Sequence, residues 1–104
     1  MKLLVAIMDK ADAPKVASAM SMAGYHLTVM DSYGGFLKKE NSIVMSATDD
    51  KKVVAALKII KENSSERIVD VPPDFPFGSF KLPPQVKVGS AVAFVLDVDQ
   101  FIKL

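Results

Sequence analysis

The sequence predicts an α+β fold with the element order β-α-β-β-α-β. Three observations carry that expectation. Two six-residue apolar runs, Leu3 to Met8 and Ala91 to Leu96, stand near opposite ends of the 104-residue chain, and short runs of this kind read as strands buried on both faces. Two stretches between them repeat apolar residues at i, i+3, i+4, i+7, the period of a helix with one buried stripe. Two further short runs alternate in polarity or carry β-branched residues, as strands do.

The elements follow in order. Lys2 to Met8 is the first strand. In the next turn Asp12 is placed to cap a helix, and Pro14 sits where the first turn loses no helical hydrogen bond. Val16, Ala19, Met20 and Ala23 form the stripe of that helix, and Gly24 ends it in the left-handed conformation. Tyr25 to Met30 is the second strand, with His26 inside it and Leu27 and Val29 on one face. Asp31 to Glu40 is a loop or a wide hairpin end. Asn41 to Ala47 is the third strand, with Ile43 and Met45 on one face and Val44 on the other. Thr48, Asp49 and Asp50 are all competent caps, and the acidic pair suits a helix N-terminus. Val53, Ala56, Leu57 and Ile60 are the second helical stripe, closed by Asn63-Ser64-Ser65.

Residues 64–85 differ in character. They hold five of the six prolines and the phenylalanines Phe75, Phe77 and Phe80. A connection of that length is usually functional or disordered. Val86 to Val98 then reads as one long last strand, bent at Gly89, before the tail Asp99 to Leu104. The order is that of the ferredoxin-like split motif, two βαβ halves with two helices on one face of a four-stranded antiparallel sheet. A chain of this length is one domain, residues 1–104. The first and last strands are apolar on both sides, yet the helices cover one side only. Packing of sheets against one another in a ring is the simplest cover for the second face.

Composition narrows the function classes. The 13 basic and 12 acidic residues leave a formal net charge of +1, no field for a nucleic acid polymer or an anionic membrane surface. The chain has no Cys and one His. Disulfides, thiol catalysis and Cys-based metal sites are therefore out of reach, and a second imidazole ligand does not exist. No apolar run approaches the roughly 20 residues of a membrane span, and a cytoplasmic protein without cofactor or metal is expected. His26 cannot assemble a triad by itself. Asp49-Asp50 read as caps, and Asp97 and Asp99 as the solvent-facing end of a strand. Lys38-Lys39 and Lys51-Lys52 read as solvated basic pairs. Nothing marks a catalytic residue. The only Arg, Arg67, lies after the second helix, not in the turn after the first strand, where a phosphate-binding catalytic loop would need it.

One constellation stands apart. Ser32-Tyr33-Gly34-Gly35-Phe36-Leu37 puts two glycines directly before an aromatic and an aliphatic residue. Glycines let the backbone approach an anion, and successive N–H groups form a phosphate-binding nest. Phe36 offers a surface for a flat ring. Asn41 brings both a donor and an acceptor. A hairpin turn with one exposed aromatic is the plain alternative.

With Gly34-Gly35-Phe36-Leu37 and Asn41 at its centre, the chain resembles the cyclic di-AMP receptor family, PII-like nucleotide-sensing proteins. The likeness includes Lys2-Leu3-Leu4-Val5-Ala6-Ile7, Gly24-Tyr25-His26-Leu27-Thr28, Ile59-Ile60-Lys61-Glu62-Asn63, Val86-Lys87-Val88-Gly89 and Phe94-Val95-Leu96. It implies a PII-like homotrimer with ligand pockets between subunits, flanked by loops 31–41 and 64–85. Thr28, Gly35, Phe36, Leu37 and Asn41 would bind cyclic di-AMP, with Phe36 and Leu37 against an adenine. The chain departs from the family pattern at His26 (usually Arg), Ala47 (usually Gly), Lys103 (commonly Gln) and Ser32-Tyr33 (a threonine pair), and in the phenylalanines of the long loop. Losing Arg beside a dianionic ligand costs a charge-assisted hydrogen bond of about 1.5–3 kcal/mol, and Lys103 is the cation available in its place.

The expected function is non-enzymatic signal transduction. Cyclic di-AMP would bind at subunit interfaces and order residues 64–85, presenting an altered surface to a downstream protein. Two other readings stay open: a divergent PII-like trimer that binds another nucleotide or no nucleotide, and a small ferredoxin-like enzyme with His26 or Asp99 in a buried polar cavity.

Overall fold

The computed structural model describes residues 1–34, 39–64, 67–70, 85–88 and 91–104. Strand β1 (Lys2–Asp9) leads to helix α1 (Ala13–Met22), then β2 (Thr28–Gly34) and β3 (Lys39–Thr48). A 3-10 turn (Asp50–Lys52) precedes helix α2 (Val53–Asn63), followed by β4 (Arg67–Asp70), β5 (Gln85–Val88) and β6 (Ala91–Asp97). Four strands form an antiparallel sheet in the order β2-β3-β1-β6, and β4 and β5 pair as a separate antiparallel two-stranded sheet. The main sheet with α1 and α2 is the ferredoxin-like, PII-like α+β architecture expected from the sequence.

The helices pack on one face of the main sheet. From β1 the side chains of Leu4, Ala6 and Met8 are buried there; from β3, Val44; from the helices, Ala13, Val16, Met20, Ala56 and Ile60. The stripe of α1 runs Ala13, Val16, Met20, and Ala23 is exposed, because the helix ends at Met22 before its fourth turn returns to the core. That end is a Schellman motif. Gly24, at φ +93°, donates its N–H to the Ser21 carbonyl, and the Tyr25 N–H reaches the Met20 carbonyl. Helix α2 closes by side chains: Asn63 Nδ2 and the Ser64 hydroxyl donate to the carbonyls of Ile59 and Ile60 at 2.8 and 2.6 Å.

Several sequence expectations need correction. Asp12 stands at the N-cap position of α1 but makes no capping side-chain hydrogen bond. Its backbone is already helical (φ −87°, ψ −25°), whereas a cap needs extended backbone to aim its oxygen at the first N–H groups. Asp49, at the cap of the 3-10 turn, makes no such bond either, and α2 starts four residues later. Strand β2 begins at Thr28, not Tyr25, so His26 precedes it. It runs on through Asp31, Ser32, Tyr33 and Gly34, where the sequence predicts a loop or a wide hairpin end, with Gly34 opposite Lys39. The ladder with β3 outweighs the weak strand preference of Asp, Ser and Gly. The expected 86–98 strand is two strands, because Arg67–Asp70 claims Gln85–Val88 as its partner while β6 pairs with β1. Residues 64–85 thus contain a strand, and Phe75, Phe77 and Phe80 lie outside the described residues.

Candidate functional site

The register sorts the second face of the sheet into rows. Val92, Ile7, Ile43 and Met30 lie side by side, as do Phe94, Val5, Met45 and Thr28, and then Leu96, Leu3 and Ala47. Nearer the β2–β3 connection, Asp9, Asn41 and Ser32 make a polar row. The centre of this face is apolar, with Val5, Ile7, Ile43 and Met45 half-buried, and its β6 edge is open: Val92 is 57% exposed, Phe94 52% and Leu96 47%. Thr28, Ala47 and Asn41 occupy its margin.

Local chemistry holds the segment before Thr28 in place. Tyr25 is buried against Met20 in the core, and its hydroxyl donates to the Lys52 carbonyl at 2.8 Å. The Lys52 ammonium lies 5.9 Å from the ring centre, a cation–π distance. The buried Ser46 donates its hydroxyl to the His26 carbonyl at 2.6 Å. His26 is therefore fixed by its backbone while its ring stays exposed.

His26, Thr28 and Ala47 come together around one cavity of about 300 Å³. Leu3, Leu27, Met45 and Ser46 complete its wall. Its lining combines apolar surface with a hydroxyl and an imidazole, the mixture of a small-molecule site, and its volume stands at the lower end of the range for such sites. Leu3 escaped the sequence reading, although it is the cross-strand partner of Ala47. Only the β1–β3 register carries that signal.

The remaining predicted residues are not drawn into this cavity. Asn41 sits four strand positions from Met45, the partner of Thr28, a distance of about 13 Å along the strand. It lines a second cavity of about 260 Å³ with Ser32 and Tyr33, and its carbonyl accepts the Ser32 hydroxyl at 3.3 Å. Lys103 is exposed in the C-terminal segment. Gly35, Phe36 and Leu37 lie outside the described residues.

Charge is modest. Asp97 is hydrogen-bonded to Lys2 and raises the lysine above its usual pKa, and the N-terminal ammonium holds the Asp50 carboxyl below its usual range at 2.8 Å. Lys10 bridges to Glu40 at 3.4 Å. Asp99 is exposed. Among the described residues no group of three or more His, Asp or Glu side chains is placed to hold a metal, and no helix is long and apolar enough to cross a membrane.

Two comparisons fit this geometry. A family model described as cyclic-di-AMP receptor matches residues 1–104. The crystal structure of a protein from Pediococcus pentosaceus, described as functionally unknown, is similar at 31% identity with a TM-score of 0.75, covering 99% of this chain and 96% of that one. The chain belongs to the cyclic-di-AMP receptor family.

Proposed function

We propose that this chain is a non-enzymatic, cytoplasmic signalling protein that binds cyclic di-AMP at the interfaces of a homotrimer. The observation that carries the reading is the convergence of His26, Thr28 and Ala47 on one cavity, at the margin of an open apolar face, in a chain that the receptor-family model matches throughout. Thr28 supplies a hydroxyl, and Leu3, Leu27 and Met45 supply apolar surface for a base. Asn41 is too far along β3 to share that cavity, so it contacts another part of the dinucleotide. Gly35, Phe36 and Leu37 belong to the same site by family position, and Lys103 brings positive charge to it.

The open face supports assembly. Contiguous apolar patches beyond a few hundred Å² are rare on monomers, and here four strands contribute to one. A ring of three copies covers all three faces at once and brings second-subunit groups to the cavity. Ligand contacts then change the order of the 64–85 segment beyond the Arg67–Asp70 strand, a step that needs contacts differing between its two states. The exposed positions of His26 and Asp99 favour a receptor over the enzyme alternative, which needs one of them buried.

A thermal-shift titration with cyclic di-AMP tests the reading, with cyclic di-GMP and ATP as controls. At about 100 times the dissociation constant, a native-state ligand adds roughly 2.7 kcal/mol per site. A saturable rise for cyclic di-AMP alone, reduced by Thr28→Ala and by Asn41→Ala, is the expected result. A rise with ATP instead makes the chain a sensor of another nucleotide. No rise with any of them at millimolar ligand, in folded trimer, removes the nucleotide reading.

A further inference from the structure

The helix-covered side of the sheet holds a groove that the messenger site does not use. Helix α1 lies over β3, beside α2 over β1 and β6, and leaves the edge strand β2 largely uncovered. Val29 points to the helix side yet remains 45% exposed. Facing it, α1 presents only the small side chains of Ala13, Pro14 and Ala17. A cavity of about 290 Å³ fills the space between them and is closed by Lys10, Asp31 and Ser42. It adjoins the 260 Å³ cavity beside Glu40 and Tyr33, with Lys10 and Asp31 lining both.

The groove's described charges are Lys10 and Asp31, and they do not pair with each other. Lys10 is engaged with Glu40 at 3.4 Å. Asp31 is an exposed carboxylate, and among the described residues no ion pair reaches it. Its one hydrogen bond there is a long one, from the Ser42 hydroxyl at 3.4 Å. Ser42 itself is 2% exposed, so a buried hydroxyl stands at the base of the groove beside a carboxylate with acceptor capacity to spare. Glu40 in the adjoining cavity takes up Lys10, so among the described residues Asp31 is the charge of the groove left without an ion-pair partner. In the adjoining cavity Tyr33, 75% exposed, offers an aromatic face of the kind that attracts cations.

We infer that the α1–β2 groove is a second ligand site, for a small organic cation with a primary ammonium or guanidinium head and a short aliphatic body. The head donates to Asp31, a charge-assisted hydrogen bond of the stronger class. The body lies on Ala13, Ala17 and Val29. The face is opposite to that of Thr28 and Ala47, so the site stands whether or not the messenger reading does.

The test uses n-butylammonium as probe, with n-butanol and butyrate as neutral and anionic counterparts, in amide NMR titrations of the full chain without nucleotide. Saturable shifts for n-butylammonium alone are expected at Ala13, Ala17, Val29, Asp31 and Ser42. Asp31→Asn keeps the shape of the groove and should weaken binding about tenfold, the equivalent of one charge-assisted hydrogen bond. Ala17→Leu, on a half-exposed helix position, should fill the groove and abolish the shifts while the remaining spectrum stays folded. Equal response to n-butanol, an unchanged affinity in Asp31→Asn, or no saturation in the millimolar range overturns the inference. Shifts confined to His26, Thr28 and Ala47 overturn it as well, by assigning the cation to the other face.

Discussion

The two faces of the main sheet carry the same strands and opposite logic. On β3 the side chains beneath the helices are Ser42, Val44, Ser46 and Thr48, all buried. On the uncovered side they are Asn41, Ile43, Met45 and Ala47. The covered face is the more hydroxyl-rich, and the centre of the open face is the more apolar. A buried hydroxyl is tolerated when it is bonded, as Ser46 is to His26. An open row such as Phe94, Val5 and Met45 gains nothing from water. The difference teaches that the helices close one core while the apolar residues of the other face stay partly open, as the proposed assembly requires. His26 and Thr28 sit at the margin between them, where the proposed ligand would touch both environments.

The largest expected effect separates the faces directly. Leu4→Ala removes a fully buried side chain from the helix-covered core and should cost about 2–5 kcal/mol, read by denaturant unfolding. Phe94→Glu on the open face should leave the far-UV spectrum intact and convert the proposed trimer to monomer in sedimentation. A variant that keeps its mass and loses its fold would mean that the open face belongs to the intrachain core.

Ser46→Ala sharpens the comparison on a smaller scale. It deletes the hydrogen bond that crosses from the covered face to the His26 backbone, worth about 0.5–1.5 kcal/mol. Its loss should lower stability by that amount and weaken nucleotide binding without changing assembly. Unchanged affinity in a less stable protein would detach the covered face from the site.

The smallest effect lies at the sheet's end, away from both faces. The N-terminal ammonium holds the Asp50 carboxyl below its usual value of 3.8. A depressed folded-state pKa contributes stability above the unfolded value, and that contribution is lost as pH falls through the folded one. Wild type should therefore exceed Asp50→Asn in stability by a constant margin at neutral pH. The margin should close in acid, below the ordinary carboxylate range, and an equal margin at pH 2 and pH 7 would contradict the ion pair.

Much of this was legible in the residues. The runs Leu3–Met8 and Ala91–Leu96 and the two helical stripes carry their own patterns, so the two strands β1 and β6 and both helices were predictable from them. Gly24 announced the end of α1 through its lack of a Cβ. What the residues hid was pairing. Asp31 to Gly34 look like a loop and form a strand, because β3 offers a ladder. Val86 to Val98 look like one strand and form two, because Arg67–Asp70 takes the first half. In the candidate site, family likeness pointed to Thr28, and Asn41 stood out by its donor and acceptor as well, but the four positions that separate Asn41 from Met45, the partner of Thr28, were not legible. Leu3 was passed over because nothing in its neighbours tells that Ala47 lies opposite.

By itself the sequence determined the local elements, the apolar excess on two strands and the absence of thiol chemistry, since each follows from residue type and spacing alone. Tertiary structure alone decided the strand register, the meeting of His26, Thr28 and Ala47 around one cavity, and the groove between α1 and β2. The physical reason is range. Periodicity reports which way a side chain points from its own backbone, whereas a cavity depends on which distant strand supplies the opposite wall, and that is settled only when the whole sheet pairs.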